Sequence, residues 1–312
     1  MKKIIVSVSN DLSTDQRVAK VCNTLVNAGY EIILIGRKLP DSKELNRNYK
    51  TKRIQLLFNS GFLFYAEFNI RLFFVLLVLK KDMLLSNDLD TLLPNYLVSK
   101  LQRKKIIYDS HELFSEVPEL VHRPFVKKCW TSLESWLLPK LKNTYTVCKS
   151  IADYYNRKYQ TNFKTILNLP TQKHISKGSF PFSVEGKKII LYQGAVNIGR
   201  GLELMIETMQ YLQNHILVIV GSGDIFHQLK AEVLSKNLKD KVFFLGKISP
   251  NELHKITPLA DLGISVEEDL GLNYRFALPN KIFDYIQAEV PLLVSNLPEM
   301  KQIVQQYKVL GT

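Results

Sequence analysis

Hydrophobic positions along this chain switch repeatedly between two spacings. Short apolar runs rich in Ile, Val and Leu suit strands. Between them, apolar positions return every three to four residues, which suits helices. Residues 3–9, KIIVSVS, predict a strand. Residues 15–29 predict a helix with Val18, Val21, Cys22 and Leu25 on one face, and Gly29 stands where a left-handed stop is expected. Strands are expected again at 31–37, 53–58, 82–88 and 104–112, with helices over 62–80 and TLLPNYLVSKLQ between them. Residues 168–186 lack any period and contain Pro, Gly and Ser, which predicts a linker. The pattern then restarts, with strands at 187–194, 215–223, 241–248 and 291–296. Helices are expected over 201–213 and 224–237 and from Pro279 onward. Strands alternating with helices imply βαβ units and parallel sheets. The fold class expected is therefore α/β. It comprises two doubly wound, Rossmann-like parallel-sheet domains, residues 1–167 and 187–312, facing across a cleft. Ligands of such sheets sit outside the carboxyl ends of the strands.

Length agrees with two domains, since 312 residues make two of about 150. Cys22, Cys129 and Cys148 are odd in number and lack metal-ligand spacing, so they read as ordinary thiols in a reducing compartment. The N-terminal apolar run is too short for a signal peptide. The segment 62–80 is interrupted by Glu67, Asn69 and Arg71. Its uninterrupted part falls short of the ~20 residues a bilayer span needs, and it reads as a buried or interfacial helix. Net charge is +13 and uneven: residues 1–150 carry 24 Lys+Arg against 14 Asp+Glu, and the rest 18 against 15. The first half is thus suited to an anionic partner or surface. No zinc-finger spacing, aromatic RNA-binding motif or arginine-rich arm accompanies that charge, so nucleic acid is not expected as a partner.

Candidate chemistry gathers where strands end. Gly194, Gly199 and Gly201 follow one strand, Gly221 and Gly223 the next, and Gly246 with Lys247 a third. Glycine lets backbone approach a phosphate closely, and Arg200 stands at a helix start where a guanidinium suits a diphosphate. The alternative is a set of turn glycines beside a solvated arginine. GSGD is not a full dinucleotide fingerprint, because Phe226 holds its third glycine position. The helix from Pro279 brings Asn280, Lys281 and Asp284 onto one side. That side offers a cation for phosphate and a carboxylate for a ribose diol, or simply a capped helix with a Lys–Asp pair. In the first half, His111 and Glu112 follow a strand, and His111 suits a sugar hydroxyl or a developing charge. Asp88 and Asp90 stand where they would cap the next helix. No metal site is expected.

Taken in order, YDSHELF, YQGAVNIGRGLELMIETM, LVIVGSGD, FFLGKIS, LADLGISV and LPNKIFDYIQAEVPLLVSNLPEM resemble the blocks of family-4-type (group 1) retaining glycosyltransferases with the GT-B fold. The resemblance covers nearly the whole chain. It implies an N-terminal acceptor-side domain and a C-terminal nucleotide-sugar-binding domain. It further implies transfer of a sugar from a UDP- or GDP-linked donor to a glycan or lipid-linked acceptor, with no cofactor and no metal. By that resemblance Arg200 meets the donor diphosphate, Asp284 binds the ribose, preceded by the Pro-Asn-Lys run that carries Asn280 and Lys281, and His111 lies near the donor sugar. Gly194, Gly221 and Gly223 approach the phosphates, while Gly246 and Lys247 lie at the base edge. Three departures stand out. Asp284 replaces the usual Glu, and Phe276 replaces the acid eight residues earlier, leaving Glu267 or Glu268 to stand in. Ala195 replaces a second cation, for which Lys281 or Arg275 is the substitute. The chain also ends at YKVLGT, short of the closing helices of the family, so the C-terminal domain reads as incomplete. The expected location is cytoplasmic and peripheral at the inner face of a membrane, through the basic first half. A GT-B nucleotide-sugar epimerase and a non-catalytic nucleotide-sugar-binding subunit are the rival readings.

Overall fold

The structure is a computed structural model and describes residues 1–13, 15–117, 120, 123–171, 176–184 and 186–307. The expectation about the chain's end concerns residues 308–312, which lie outside the described residues. By its internal contacts the chain divides into two units, Met1–Leu167 and Asn168–Thr312.

In the first unit the strands are β1 (Lys3–Asp11), β2 (Glu31–Lys38), β3 (Lys50–Gln55), β4 (Met83–Asn87), β5 (Lys105–Ser110), β6 (Thr144–Thr146) and β7 (Lys164–Thr165). They pair in the order β3-β2-β1-β4-β5-β6-β7, with every pairing parallel. The helices are α1 (Gln16–Asn27), α2 (Gly61–Val78), α3 (Leu89–Leu101), α4 (Pro124–Leu137) and α5 (Lys149–Tyr159). Asp15 caps α1 by accepting from the Val18 N–H, and Gly29, at φ +85°, turns the chain just past its end. Pro94 lies inside α3 and lacks an N–H for the Asp90 carbonyl one turn back. The Asn69 side chain of α2 supplies that hydrogen bond at 2.9 Å.

The apolar segment forms α2, which is long and apolar enough to cross a membrane by length and composition alone. Only one stripe of it is covered. Phe64, Phe68, Leu72 and Leu76 pack on Ile5, Ile35 and Leu84 of the sheet. Phe62, Leu63, Ile70, Phe74 and Val78 face outward and are exposed. The sequence alone does not distinguish the two stripes, because both are apolar.

In the second unit, β8 (Lys188–Gln193), β9 (His215–Val220), β10 (Val242–Gly246), β11 (Leu262–Ser265) and β12 (Leu292–Val294) form a parallel sheet. Their order is β10-β9-β8-β11-β12. Its helices are α6 (Leu202–Thr208), α7 (Phe226–Ser235), α8 (Pro250–Ile256), α9 (Leu272–Arg275), α10 (Asn280–Gln287) and α11 (Pro298–Tyr307). Phe180 and Phe182, from the segment expected as a linker, pack against this unit's core, with Phe182 stacked on Phe243. α6 stops at Thr208, shorter than its period predicted, and β3 lies a few residues ahead of its expected place.

In both sheets the first strand of the unit has neighbours reached by chain running in opposite directions, β2 and β4 around β1 and β9 and β11 around β8. These are the topological switch points, where diverging loops leave room for a ligand.

Candidate functional site

At the switch point of the second unit, the loop after β8 is shaped by glycine. Gly221, at φ +140°, lies so close that a Cβ there would be 1.8 Å from the Gly194 carbonyl oxygen. At Gly201, φ +67°, a Cβ would meet the Val266 carbonyl at 2.2 Å. Side chains at either position would force apart the strand ends that define the site. A Cβ at Gly223 would collide with the same loop, at the Asn197 side chain and the Val196 carbonyl.

Three charged side chains converge here. Lys281, in the first turn of α10, places Nζ 2.9 Å from Oε1 of Glu267, which follows β11. Arg200, just before α6, places Nη1 3.6 Å from the same oxygen. Glu267 is fully buried, and its Oε2 accepts from the Ser265 hydroxyl at 2.7 Å. Lys281 also lies 4.0 Å above the Tyr192 ring, and Arg200 lies over the ring of Tyr274. Burial pushes the Glu267 carboxyl up, but Lys281, Ser265 and Arg200 outweigh it and hold the group below the usual carboxylate range. Burial lowers the Lys281 ammonium, Glu267 opposes that, and Arg200 adds to it. Two cations thus share one carboxylate, a surplus of positive charge at strand ends lined by open backbone.

The structure brings Gly194, Arg200, Gly221, Gly223 and Lys281 together, with Lys281 Cε 3.6 Å from where a Cβ on Gly194 would stand. The Lys–Asp pair weighed for α10 does not form. Lys281 turns to Glu267, and Asp284 accepts from Gln193 Nε2 at 3.1 Å. Pro279 takes the N-cap position rather than the first turn, and Asn280 accepts from Asn168 at 2.9 Å. Gly246 ends β10, and its carbonyl is taken by the Gly221 N–H, while Lys247 is exposed. Glu268 is exposed and joins the loops through its backbone N–H, which donates to the Gly199 carbonyl. Its neighbour Glu267, mentioned only as a stand-in, is the acid that turns inward. Arg275, the suggested substitute cation, is engaged with Asp269 at 2.8 Å.

The switch point of the first unit holds another cluster. Asp88, at φ +58°, occupies the N-cap position of α3 but makes no side-chain capping bond. It accepts instead from the His111 backbone N–H at 2.8 Å, and its other oxygen faces His111 Nδ1 at 3.0 Å. His111 Nε2 faces Asp109 at 3.2 Å, and Arg17 reaches the second Asp109 oxygen at 2.7 Å. Burial lowers the imidazole, but Asp88 and Asp109 outweigh it and raise it to about 10. Burial likewise raises Asp109, and His111 and Arg17 bring it below the usual range. Asp90 is buried beside Ser9, which donates to it. Burial and the nearby Asp88 charge raise it to about 7. The imidazole expected at a donor sugar is therefore held on both nitrogens by carboxylates. Among the described residues, no group of three or more His, Cys, Asp or Glu side chains is arranged to hold a metal ion.

Comparison with known proteins places this arrangement. Residues 179–311 match the family model described as glycosyl transferases group 1. An uncharacterized glycosyltransferase of Methanocaldococcus jannaschii is 29% identical over 126 residues, 39% of this chain and 30% of that protein. The chain thus spans about a third of the length of this curated relative. Among solved structures, sucrose-phosphate synthase from Thermosynechococcus elongatus superposes with a TM-score of 0.78 at 15% identity, covering 100% of this chain and 85% of that one. Anabaena HepE in complex with UDP and glucose superposes at 0.73 with 12% identity, covering 97% and 83%. The two units are the two Rossmann-like halves of the GT-B glycosyltransferase fold. The match to the group 1 glycosyl transferase model falls within the second unit.

Proposed function

We propose that this chain is a glycosyltransferase that uses a nucleotide-sugar donor, UDP- or GDP-linked, and transfers the sugar with retention of configuration. The observation that carries the reading is the convergence of Arg200 and Lys281 on a single carboxylate at the switch point of the second unit. As the glycosidic bond breaks, negative charge grows on the leaving diphosphate. Cations already fixed there stabilise that charge without reorganising. Gly194 and Gly221 allow the phosphates to approach backbone, and Asp284 lies one turn into α10 for the ribose hydroxyls. His111, which the resemblance associates with the donor sugar, has both ring nitrogens facing carboxylates and offers no uncommitted ring nitrogen. The reaction needs no metal in this reading.

The acceptor is a glycan or lipid-linked saccharide at the cytoplasmic face of a membrane. The outward stripe of α2, Phe62, Ile70, Phe74 and Val78, supports that location, with Lys80 and Lys104 beside its end. Apolar side chains enter the interface and lysines meet anionic headgroups.

Thermal shift against UDP, GDP and their sugar conjugates, with and without EDTA, tests the donor. A shift that EDTA leaves intact and Arg200→Ala removes is expected, and no shift with any nucleotide would sink the reading. A labelled donor then separates transfer from epimerisation by its product. Co-sedimentation with phosphatidylglycerol vesicles, lost in Phe74→Glu, tests the membrane face.

A further inference from the structure

Glu267 has no place in the donor-binding scheme above, yet it is a buried carboxylate engaged on both oxygens. A fully buried carboxylate is costly unless its partners repay the lost hydration. Its partners come from four directions. Lys281 reaches it from α10 and Arg200 from the loop after β8. The Ser265 hydroxyl at the end of β11 donates to its second oxygen, and Ser295, just past β12, donates to its carbonyl at 2.6 Å. The residue ties together the loop ends on which a diphosphate would rest.

The two cations have reason to separate without it. They are of like charge, and both sit on aromatic rings, Lys281 on Tyr192 and Arg200 on Tyr274. Neither ring carries the charge that holds two cations adjacent. We propose that Glu267 is a positioning residue for diphosphate recognition, a resident counter-anion that keeps Lys281 and Arg200 side by side as cations until the diphosphate of a nucleotide arrives to share them. This inference rests on the nucleotide-binding reading above.

Its consequence is a change in pH dependence. The groups facing Lys281 are Glu267 after β11, Arg200 before α6, Tyr192 on β8 and, on its own helix, Asp284, which Gln193 engages. With Glu267 made neutral, burial and Arg200 both favour loss of the ammonium proton, and the nearest full negative charge is gone.

Isothermal titration of the full chain with UDP and with GDP, from about pH 6.5 to about pH 9, tests this directly. Wild type is expected to bind with a flat profile. Glu267→Gln is expected to bind about tenfold more weakly at the alkaline end and to approach wild type at the acid end. In E267Q/K281R the guanidinium keeps its proton, so the profile flattens again. Glu267→Asp keeps the charge and is expected to keep the flat profile, which secures the test if the glutamine variant folds poorly. Wild-type affinity with a flat profile in E267Q overturns the proposal. So does a pH-independent loss that simply follows a lowered melting temperature, or a steep profile in E267D. If wild type binds neither nucleotide at any pH, the nucleotide reading itself falls, and this inference with it.

Discussion

The two units solve one electrostatic problem in opposite ways. Each gathers buried charge at the switch point of a parallel sheet. In the first unit, His111 and Arg17 face Asp88 and Asp109, and the cluster closes on itself with charges balanced. In the second unit, Lys281 and Arg200 both pair with the one carboxylate of Glu267, two cations on a single anion. A balanced cluster stiffens strand ends and offers little to a ligand. A cluster short of one anion is built to take one. The same fold position therefore serves as scaffold in one half and as a candidate grip in the other.

The largest expected effect comes from breaking the second cluster. Lys281→Met leaves the buried Glu267 with Arg200 at 3.6 Å and the Ser265 hydroxyl but without its close cation. Removing one partner of a buried pair costs about 3–5 kcal/mol, to be read by urea denaturation, and nucleotide binding should vanish with it. The matching change in the first unit is His111→Gln, which leaves Asp88 and Asp109 without the imidazolium between them and should cost about 3 kcal/mol near pH 6.5. The imidazole rises from 6.5 to about 10 on folding, so its contribution is fully present below the unfolded value and fades as pH climbs through the folded one. Wild-type stability should fall across that window, while H111Q should lose the slope. If H111Q also abolished nucleotide binding in a folded protein, the contrast between scaffold and grip would fail.

A smaller effect of opposite sign is expected at Asp90. Its carboxyl is raised to about 7, so it disfavours folding as pH rises from the unfolded carboxylate range through that value. Asp90→Asn should stabilise the protein by about 1 kcal/mol or more near pH 8 and by nothing near pH 4, measured by melts at both pH values. Equal effects at both would show that the buried charge is not the cause. Smallest of all is Arg275→Ala. Its ion pair with Asp269 is exposed, and neither melting temperature nor nucleotide affinity should move. A clear loss of affinity would return Arg275 to the site as the second cation.

Hydrophobic period and glycine placement made much of this architecture legible. The alternation of strands and helices, the restart in the second half and the strand-end glycines all follow from local rules, because backbone conformation and one-sided burial act over a few residues. Arg200 and Lys281 were recognisable as candidates for the same reason: each stands at a helix start. Their common partner was not. Glu267 and Glu268 are adjacent and chemically alike, and only the packing of β11 against β8 and β12 turns one inward and leaves the other in solvent.

By itself, then, the sequence determined the kind of element at most positions and the places where backbone must turn tightly. Tertiary structure decided which charges meet. Asp88 looked like a helix cap and became a partner of His111, because the end of β5 lies beside it in the sheet. Likewise α2 carries two apolar stripes, and only the sheet beneath it selects Phe64, Phe68, Leu72 and Leu76 for burial while Phe62, Ile70 and Phe74 stay outside. Periodicity reports a contrast between faces. Where both faces are apolar, or two neighbours are both acidic, there is no contrast to report, and the choice falls to whatever the rest of the chain packs against them.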